Sequence, residues 1–459
     1  MPKTVTTVIL AGGAGNRMET EYQKVLHPIC GRPMLDWVLD AAGAPGANED
    51  APPIAVLGHM HEQVKERYGE RLRYVEQTNM RGSGSALLDA RRLLRDKEGR
   101  VLVLAGDMPL LQRATVRALL SVNSAAAFLT ARMENPIGYA RVLRYEGNVT
   151  GVIEEEALTN EQQPLREVRV SAYCFEAALL APVLDELAKE SGQGETSMAE
   201  IITAFIKRGV TVETCAVSPE EAMGVNDRVQ LAACTAVLRR RINTRHMYKG
   251  VTLLDPACTY IDDTVKIGHD CTIYPGVVLE GNTVIGPGCT LYPACRLTDS
   301  HFGKFVTAQG VVARDAVVGD YVTLGPYVNL RPGTRLGNNC KVGNYIEVKN
   351  SVVGEGSKLP HLSYIGDGDV GKNVNLGCGT VFVNYDGHKK HRTRIGDNTF
   401  VGCHASLVAP ISLGDDVFVA AGSVITENVP DDTLAIARAR QVNKIGYTGK
   451  LRRKRGDGV

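Results

Sequence analysis

An aliphatic side chain recurs at every sixth position of the chain from Ile261 onward. A helix repeats its apolar positions about every 3.6 residues and a simple strand about every 2, so this period requires another geometry. Six residues make one short strand and a corner, and three such units make one triangular coil of a stacked parallel β-helix. The repeating positions form four registers: Ile261, Ile267, Ile273, Leu279, Ile285, Leu291 and Leu297; Val318, Leu324, Leu330, Leu336, Val342 and Val348; Val370, Leu376 and Phe382; Ile395, Val401, Leu407, Leu413, Val419 and Ile425.

Three breaks separate these registers. The first two, 297–318 and 348–370, span 21 and 22 residues where multiples of six are expected. The third, 382–395, contains the polar sequence NYDGHKKHRTR. Insertions leave a solenoid as loops at its corners, and such loops often carry the binding surface. We therefore expect a functional loop at each break.

The chain before the solenoid alternates short apolar runs with helical stretches. The runs TTVILA, PIAVLG and RVLVLAGD are separated by stretches such as MLDWVLDAA and GSALLDARRLLRD. Such alternation predicts a parallel sheet with helices on both faces. A polar, helix-prone stretch without Gly or Pro follows and predicts a linker helix. The predicted parts are an α/β domain (1–226), the linker helix (227–248), the β-helix (249–447) and a basic, disordered tail (448–459).

Composition narrows the classes of function. The 459 residues are 44% hydrophobic and carry a net charge of +1, so neither a nucleic acid nor a membrane surface is indicated as a partner. No apolar stretch approaches the roughly 18 residues of a membrane span, and we expect a cytoplasmic protein. The eleven cysteines form no C-x-x-C pair. Because Cys271, Cys289 and Cys295 share one position of the repeat, we expect structural thiols rather than zinc ligands.

A glycine-rich loop directly follows the first predicted strand. Gly12, Gly13 and Gly15 allow backbone N–H groups to approach an anion, and Arg17 and Lys24 add positive charge. The loop is neither G-x-G-x-x-G nor a Walker A loop, which argues against dinucleotide binding and P-loop ATPases.

Asp107 ends the buried run VLVLAGD, at the edge of a sheet where ligands bind. A carboxylate there can hold Mg²⁺ against a triphosphate, or it can serve as a helix N-cap.

The period of six indicates a left-handed β-helix but does not decide its function. Acyltransferases, binding scaffolds and carbonic anhydrase-like enzymes are all compatible with this fold. His361 lies in LPHLSYIGD after the second break and is a candidate general base, because histidine side chains titrate near neutral pH; a histidine in a solenoid loop can also be a plain surface residue.

Five segments of the first half resemble a known enzyme family: LAGGAGNRM, KVLHPICGRPML, LAGDMPLL, IGYARVLR and GVNDRVQLA. They look like the nucleotidyltransferase half of the bacterial bifunctional N-acetylglucosamine-1-phosphate uridyltransferase / glucosamine-1-phosphate acetyltransferases. The resemblance implies a Rossmann-like mixed sheet, UTP as co-substrate and Mg²⁺. It implies nucleotide contacts at Ala11, Gly12, Gly13, Arg17, Lys24, Gln77 and Gly82, amino-sugar contacts at Gly138 and Glu154, and Mg²⁺ ligands at Asp107 and Asn226.

The departures from the family pattern fall mainly on the sugar side. Asn16 replaces a Thr of the glycine loop, and the family's G-T-G-H-A appears as GSGSA over 82–86. Arg169 aligns with an Asn that contacts the sugar in the family, and GETSMAE over 194–200 replaces G-E-Y-Y-L-T-D. An Arg in place of a neutral amide changes charge, size and acceptor capacity.

The solenoid resembles the acetyltransferase half of the same family over almost all of 250–447. The matching segments include YVNLRPGT, YIEVKNS, LPHLSYIGD, VNYDGHKK, FVGCHASLVAP and AIARARQVNK. The resemblance implies a homotrimer with acetyl-CoA sites between subunits and His361 as the general base. It implies sugar-phosphate binding by Arg331, Lys349, Tyr364, Asn375 and Lys390, and acetyl-CoA binding by Asn384, Tyr385, Cys403, Ala421 and Arg438.

These features predict a bifunctional transferase of UDP-N-acetylglucosamine synthesis. The solenoid acetylates glucosamine-1-phosphate with acetyl-CoA, and the first domain transfers UMP from UTP to the product. One alternative is an acetyltransferase whose first domain uses another sugar phosphate or is inactive. Another is a non-catalytic regulatory scaffold built from the same two folds.

Overall fold

The chain divides into two compact units, Met1–Ile242 and Asn243–Val459. The first is an α/β domain and the second a left-handed β-helix of hexapeptide repeats, which confirms the predicted fold class. No helix among the described residues is long and apolar enough to cross a bilayer. The computed structural model describes residues 4–13, 15–43, 52–77, 82–190 and 195–455.

The first unit contains a nine-stranded sheet and a separate two-stranded ribbon. Its strands are β1 Val5–Ala11, β2 Pro28–Ile29, β3 Arg32–Pro33, β4 Ile54–Leu57, β5 Arg73–Glu76, β6 Arg100–Ala105, β7 Ala126–Arg132, β8 Arg141–Tyr145, β9 Asn148–Ile153, β10 Glu167–Glu176 and β11 Val212–Val217. Its helices are α1 Met34–Ala42, α2 His61–Tyr68, α3 Gly82–Leu94, α4 Arg113–Ser121, α5 Ala177–Glu190, α6 Met198–Lys207 and α7 Arg228–Tyr248, the last of which continues into the second unit.

The large sheet is mixed. Its strand order is β11-β7-β10-β6-β1-β4-β5, and the β8–β9 hairpin joins it through β10. β1 is parallel to β4 and β6, whereas β10 is antiparallel to β6 and β7. The carboxyl ends of β1 and β6 therefore meet at one edge, where ligands bind in such sheets.

Two apolar cores cover the two faces of this sheet. Val8 of β1 packs in one core with Leu87 of α3 and Phe205 of α6. The next residue, Ile9, packs in the other core with Leu35 of α1. Because successive strand side chains point to opposite faces, the continuous apolar run of β1 serves both cores.

The second unit stacks its short strands into three parallel sheets. The first contains β12 Thr252–Leu253, β15 Thr272–Ile273, β18 Thr290–Leu291, β21 Thr307–Ala308, β24 Thr323–Leu324, β27 Lys341–Asn344, β30 Lys358–His361, β33 Asn375–Leu376, β36 Phe400–Val401, β39 Phe418–Val419 and β41 Leu434–Ala435. The second contains β13 Tyr260–Ile261, β16 Val278–Glu280, β19 Arg296–Thr298, β22 Val311–Arg314, β25 Val328–Leu330, β28 Glu347–Lys349, β31 Tyr364–Gly366, β34 Val381–Val383, β37 Ser406–Val408 and β40 Val424–Ile425. The third contains β14 Lys266–Ile267, β17 Val284–Ile285, β20 His301–Phe302, β23 Val317–Val318, β26 Arg335–Leu336, β29 Val352–Val353, β32 Gly368–Val370, β35 Thr393–Ile395 and β38 Ile411–Leu413.

The every-sixth residues line the inside of the coil. Ile273 pairs with Leu291, 18 residues later, and Leu324 pairs with Val342 at the same interval. All four side chains are at most 2% exposed. Burying each such side chain contributes about 1.5–3 kcal/mol, so the stacked column is a major source of stability.

The first two register breaks are shortened coils, so the expectation of a loop at each of them is wrong. Across 297–318 the inward positions pass through Phe302, Ala308 and Ala313, all buried, at intervals of five or six residues. The corner residue Asp299 adopts a φ of 47°, a left-handed conformation that Asp tolerates. The left-handed conformation at Asp299 thus allows this corner to turn in five residues instead of six.

The third break is a true loop. Asp369 of β32 pairs with Arg394 of β35, 25 residues later, because the chain leaves the coil between β34 and β35. This segment, residues 384–392, is called the 384–392 loop below.

The end of the chain differs from expectation. Residues Tyr447–Arg455 form a helix, α8, whose side chains are all exposed, instead of the predicted disordered tail. Lys and Arg are good helix formers, and five of them lie in this segment. The last four residues of the predicted tail, 456–459, lie outside the described residues.

The cysteines of the repeat are structural, as predicted. Cys271, Cys289 and Cys295 are at most 1% exposed inside the solenoid. The Sγ atoms of Cys271 and Cys289 lie 3.1 Å from the carbonyl oxygens of Gly286 and Gly303. Each thiol thus donates a weak hydrogen bond to the next coil.

Candidate active sites

The glycine loop packs tightly against Gln77. A Cβ on Gly12 would lie 2.5 Å from Gln77 Oε1, and one on Gly58 would lie 2.3 Å from the Gly12 carbonyl oxygen. Gln77 is buried, and its Nε2 donates to the Gly82 carbonyl oxygen over 3.5 Å. The structure therefore brings three predicted nucleotide contacts, Gly12, Gln77 and Gly82, to one place.

Gln23 supports this loop and was missed in the sequence analysis. Its side chain is buried, its Nε2 donates to the Ala11 carbonyl oxygen over 2.8 Å, and its Oε1 accepts from Val25 N over 2.7 Å. Gln23 thus ties the end of β1 to the turn that carries Lys24. Its position next to Lys24 was the only signal in the sequence.

Lys24 meets both predicted Mg²⁺ ligands. Its Nζ lies 2.5 Å from Asp107 Oδ2 and 3.2 Å from Asn226 Oδ1. Lys24 is 8% exposed, and the Asp107 side chain is 24% exposed. The amide N–H of Val225 donates to the Asp107 carbonyl oxygen over 2.9 Å, which fixes the segment before α7 against the end of β6.

An open cleft of about 490 Å³ lies along this edge of the sheet. Gly12 and Gly13 line it on one side and Asp107 on another. Arg17, by contrast, is exposed on the turn Asn16–Met18. The other lining residues are Leu10, Asn16, Gln77, Gly82, Ser83, Ala86, Ala105, Ser171 and Tyr173.

Asp107 and Asn226 fit the donor chemistry of Mg²⁺. Both present side-chain oxygens to one point, and Mg²⁺ prefers oxygen ligands, commonly one or two carboxylates completed by substrate phosphates and water. Lys24 Nζ lies at that point, so a cation already has a favourable position there.

The predicted sugar contact Glu154 is paired with Arg169. Arg169 Nη1 lies 2.8 Å from Glu154 Oε1, and Nη2 lies 3.3 Å from Oε2. The other predicted sugar contact, Gly138, has a φ of 87°, and its N–H donates to Glu155 Oε2 over 2.7 Å. The departure from the family at Arg169 therefore acts directly on a predicted site residue.

Tyr173 lines the cleft. It is buried, and its Oη has no hydrogen-bond partner among the described residues. Burial raises the pKa of Tyr173, so the phenol stays neutral at physiological pH.

The altered segment before α6 is built into the fold. Thr196 N donates to Ser85 Oγ over 2.9 Å, and a Cβ on Gly84 would lie 2.5 Å from the Ser197 backbone. Ser197 caps α6 in a reciprocal capping box with Glu200. Gly194, the first residue of this segment, lies outside the described residues.

In the second unit, predicted cations gather on successive coils. Arg331 follows β25, Lys349 ends β28 and Lys390 lies in the 384–392 loop. Contact with the Lys390 amine, helped by burial, lowers the pKa of Lys349. Arg331 Nη1 also lies 2.8 Å from Glu347 Oε1. Clustered cations of this kind form a site for an anion such as a phosphate.

Asp367 lies at the centre of this cluster and was missed in the sequence analysis. It accepts from Asn384 Nδ2 over 2.5 Å and from Asn350 Nδ2 over 2.6 Å. Burial opposes ionisation, but the two hydrogen bonds and the charges of Lys349 and Lys390 together lower the pKa of Asp367.

Asn384 also connects the predicted site residues to one another. Its Nδ2 lies 3.4 Å from Tyr364 Oη, and a Cβ on Gly366 would lie 2.4 Å from that hydroxyl. Glycine at position 366 therefore leaves the space in which Tyr364 and Asn384 meet.

His361 ends β30 and faces Asn344 of the coil before it. Its Nδ1 lies 2.6 Å from Asn344 Oδ1. Because an amide oxygen only accepts, Nδ1 carries the hydrogen and Nε2 of the neutral ring is left free to take a proton. Asn375 lies on the same sheet, next to Lys358 of β30, and not on the sheet of Tyr364.

The 384–392 loop is held together by Asp386. Its Oδ1 accepts from the backbone N–H groups of His388 and Lys389, each over 2.8 Å, and its Oδ2 lies 2.6 Å from His391 Nε2. These bonds hold the pKa of Asp386 well below its usual range. Tyr385 is exposed beside them and pairs with Lys390 in a short bridge.

Three predicted acetyl-CoA contacts lie close to one another at the exposed corners. Cys403 accepts through its carbonyl oxygen from Gly422 N over 2.8 Å, directly after Ala421. Arg438 Cδ lies 3.9 Å from the position of a Cβ on Gly422. All three are exposed, as an acetyl-CoA surface would require.

Family models match both units. A model of the MobA-like NTP transferase domain matches residues 7–200. A model of the bacterial transferase hexapeptide with six repeats matches 259–299 and 315–345, and the hexapeptide repeat of succinyl-transferase matches 392–427.

Several curated proteins are similar over nearly their whole length. The "Bifunctional protein GlmU" of Caldanaerobacter subterraneus subsp. tengcongensis is 42% identical over 96% of this chain and 97% of its own. Its namesake in Geobacillus sp. strain WCH70 is 43% identical over 97% of both chains. The one in Listeria monocytogenes serotype 4a is 42% identical over 97% of this chain and 98% of its own.

Proposed function

The chain belongs to the family of bifunctional GlmU proteins, and on that premise we propose how its residues divide two group transfers between its two units. The second unit acetylates glucosamine-1-phosphate with acetyl-CoA. The first unit transfers UMP from UTP to N-acetylglucosamine-1-phosphate and releases pyrophosphate. The observation that carries this assignment is the presence of both matched units in one chain that covers its relatives almost completely.

The first transfer requires that the C2 amine lose a proton before it attacks the thioester. We assign this proton to His361 Nε2, since the bond from Nδ1 to Asn344 fixes the tautomer that leaves Nε2 unprotonated. The amine nitrogen then bonds to the acetyl carbon, the carbon–sulfur bond breaks, and the proton taken by His361 passes to the sulfur, so that coenzyme A leaves as a thiol. An amide of the 384–392 loop is our candidate donor to the oxyanion.

The sugar phosphate is held by Arg331, Lys349 and Lys390 in this proposal. The lowered pKa of Lys349 reflects the proximity of Lys390, and a bound phosphate would relieve that repulsion. Asp367 balances part of the charge when the site is empty of phosphate and orients Asn384. Tyr364 and Asn375 complete the sugar site, and Asn384, Tyr385, Cys403, Ala421 and Arg438 the acetyl-CoA site.

The second transfer is an in-line displacement at phosphorus. A phosphate oxygen of the acetylated sugar attacks the α-phosphorus of UTP, and the bond to the β-phosphate breaks. Lys24 and Arg17 neutralise the phosphates, while Gly12, Gly13 and Gln77 hold the nucleotide by backbone and amide contacts.

Mg²⁺ is the cofactor that we propose for this transfer, held by Asp107 and Asn226 together with the triphosphate. When bound, it would neutralise the phosphate charge that builds up during displacement. This site is supported by the two side-chain oxygens, of Asp107 and Asn226, which both contact the Lys24 amine.

We also propose a homotrimer acting in the cytoplasm, where UTP and acetyl-CoA are made. Exposed aromatic pairs along the solenoid, Phe305–Tyr321, Tyr327–Tyr345 and Phe400–Phe418, support association of its faces. Light scattering on the purified protein should give three times the monomer mass, and a monomer at micromolar concentration would contradict this.

Two variants test the division of labour. His361→Gln should abolish thiol release from acetyl-CoA but leave pyrophosphate release with N-acetylglucosamine-1-phosphate intact. Asp107→Asn should do the reverse. If either variant lost both activities while remaining folded, or lost neither, the assignment of one transfer to each unit would be wrong.

A further inference from the structure

The Lys24 amine lies where the two proposed metal ligands meet. Its Nζ is 2.5 Å from Asp107 Oδ2 and 3.2 Å from Asn226 Oδ1. A Mg²⁺ ion at its usual distance of about 2.1 Å from Asp107 Oδ2 would therefore lie within about 4.6 Å of this ammonium group. Two cations that close repel each other strongly where water is partly excluded, and Lys24 is buried. The metal and the amine thus compete for the same oxygens.

Both oxygen donors are held from behind by the backbone. Val225 N donates to the Asp107 carbonyl oxygen over 2.9 Å, and Asn226 N donates to Gln230 Oε1 over 2.7 Å. These bonds do not involve Lys24, so they keep the two ligands in place whether or not the amine is beside them. If the metal and the amine are to be separated, the part that moves is the lysine side chain.

The Lys24 side chain runs along the glycine loop. A Cβ on Gly15 would lie 3.2 Å from Lys24 Cβ, and one on Gly13 would lie 3.8 Å from Lys24 Nζ. The backbone around Lys24 is fixed, because Gln23 Oε1 accepts from Val25 N over 2.7 Å. A lysine carries its charge on a flexible four-carbon stem. Its amine can therefore turn from Asp107 to a phosphate on the glycine loop without a change of the backbone.

The charge of the cleft also favours competition over sharing. Among the described residues that line the cleft, Asp107 is the only carboxylate. One carboxylate balances the Lys24 ammonium but cannot balance Mg²⁺ as well. A triphosphate brings several negative charges and can bind both cations at once. The nucleotide would therefore remove the competition that exists without it.

We propose that Lys24 excludes the metal from the chain without nucleotide and releases Asp107 and Asn226 when a triphosphate draws its amine away. Mg²⁺ then enters with the nucleotide rather than before it. The inference rests on the proposed function, because it requires a triphosphate on the glycine loop. By linkage, metal and nucleotide must raise each other's affinity by the same factor, and Lys24 supplies part of that coupling.

The test measures metal binding alone. Mn²⁺, which prefers the same oxygen ligands as Mg²⁺, is titrated into the full chain without nucleotide, and the unbound ion is followed by electron paramagnetic resonance. We expect Lys24→Met to bind Mn²⁺ about tenfold or more tightly than the unmodified chain, because a like charge has left a half-buried site. Lys24→Arg keeps the charge and should bind as weakly as the unmodified chain. Unchanged or weaker binding by Lys24→Met would overturn the proposal.

A double variant shows where the metal binds. Adding Asp107→Asn to Lys24→Met should abolish the gain in affinity, because the carboxylate ligand is lost. A gain that persisted would place the ion elsewhere and overturn the proposal. Lys24→Gln repeats the measurement with a polar side chain if Lys24→Met does not fold.

Lys65 provides the matched control. It pairs with Glu76 at the same distance of 2.5 Å, but both are partly exposed and neither is among the residues that line the cleft. Lys65→Met should leave the affinity for Mn²⁺ unchanged. An equal gain in Lys65→Met would overturn the proposal, because removal of any nearby positive charge would then explain the effect.

The outcome is separable from that of the proposed function. The titration uses neither UTP nor a sugar phosphate, so it decides the competition even if the unmodified chain released no pyrophosphate. If the chain does release pyrophosphate, Lys24→Met should lose this activity while it gains affinity for the metal. A general structural defect would lower both.

Discussion

At His361, the partner of one ring nitrogen decides what the other can do. Asn344 Oδ1 accepts the hydrogen of Nδ1, so Nε2 is the nitrogen that can remove a proton from an amine. Asn344 thus acts as a positioning residue, and its effect should be smaller than that of the base itself.

We expect His361→Ala to lower the kcat of acetyl transfer by about 10²–10⁴-fold, the usual contribution of a general base. Asn344→Ala should lower kcat by about tenfold, with little change in the KM for glucosamine-1-phosphate. Thiol release measures both effects. His269→Gln, which changes an exposed histidine of a distant coil, is the control and should have no effect. A full-rate Asn344→Ala enzyme would refute the tautomer argument.

Lys24 and Asp107 have opposite charges but serve the same reaction. Lys24→Ala should lower pyrophosphate release by about 10²-fold or more, because it removes a cation aimed at the phosphates. The variant also leaves Asp107 without its partner at 2.5 Å. Acetyl transfer, measured as thiol release in the same sample, is the internal control. Equal loss of both activities would show that the damage is structural.

Two of the residues that the sequence did not reveal, Asn344 and Asp367, have partners that are distant in the chain. His361 and Asn344 are 17 positions apart, as are Asp367 and Asn350. They meet only because the coil is shortened there, and the length of a coil cannot be known from one motif. The residues found in advance, such as Asp107, stand inside motifs or at strand ends.

At the scale of elements, the inward column of the solenoid should dominate its stability. Leu324→Ala removes a side chain that is 2% exposed, and we expect a loss of about 2–5 kcal/mol in the free energy of unfolding. Leu254→Ala, at a position 52% exposed, should change it by less than about 1 kcal/mol. Urea denaturation measures both, and similar losses would contradict the column as the core.

Helix α7 carries a histidine that should make stability depend on pH. His246 is buried, both ring nitrogens lack a partner among the described residues, and burial lowers its pKa to about 4. Between pH 6.5 and 4 the unfolded chain binds a proton that the folded chain does not. Stability contributed by neutral His246 is therefore present at pH 7 and lost as pH falls.

We expect this histidine to account for about 2 kcal/mol of the stability lost between pH 7 and pH 5. His246→Leu should remove that part of the loss, because leucine does not titrate. Unfolding curves at the two pH values measure the difference. If His246→Leu lost as much stability as the unmodified chain over this interval, the buried neutral histidine would not be the cause.

The elements themselves were predictable where one period governs them. Thirty short strands follow from a repeat of six, since only a β-helix places every sixth residue inside. The sequence predicts loops at the two shortened coils because a residue missing from the six-residue repeat interrupts the period in the same way as an inserted residue. The antiparallel strand β10 was not visible in the alternation of apolar runs, because its direction depends on tertiary pairing.

At the scale of the whole molecule, acetyl transfer and uridyl transfer in one chain are consecutive steps of one synthesis. The second unit makes the acetylated sugar phosphate that the first unit consumes.

The most direct test is one assay on the purified chain with glucosamine-1-phosphate, acetyl-CoA, UTP and Mg²⁺, in which thiol and pyrophosphate are read separately. The account predicts that both appear, and that pyrophosphate release falls sharply when acetyl-CoA is omitted. Thiol without pyrophosphate would contradict the role of the first unit. If neither thiol nor pyrophosphate appeared, the chain would not be this enzyme, and a binding scaffold would be the remaining interpretation.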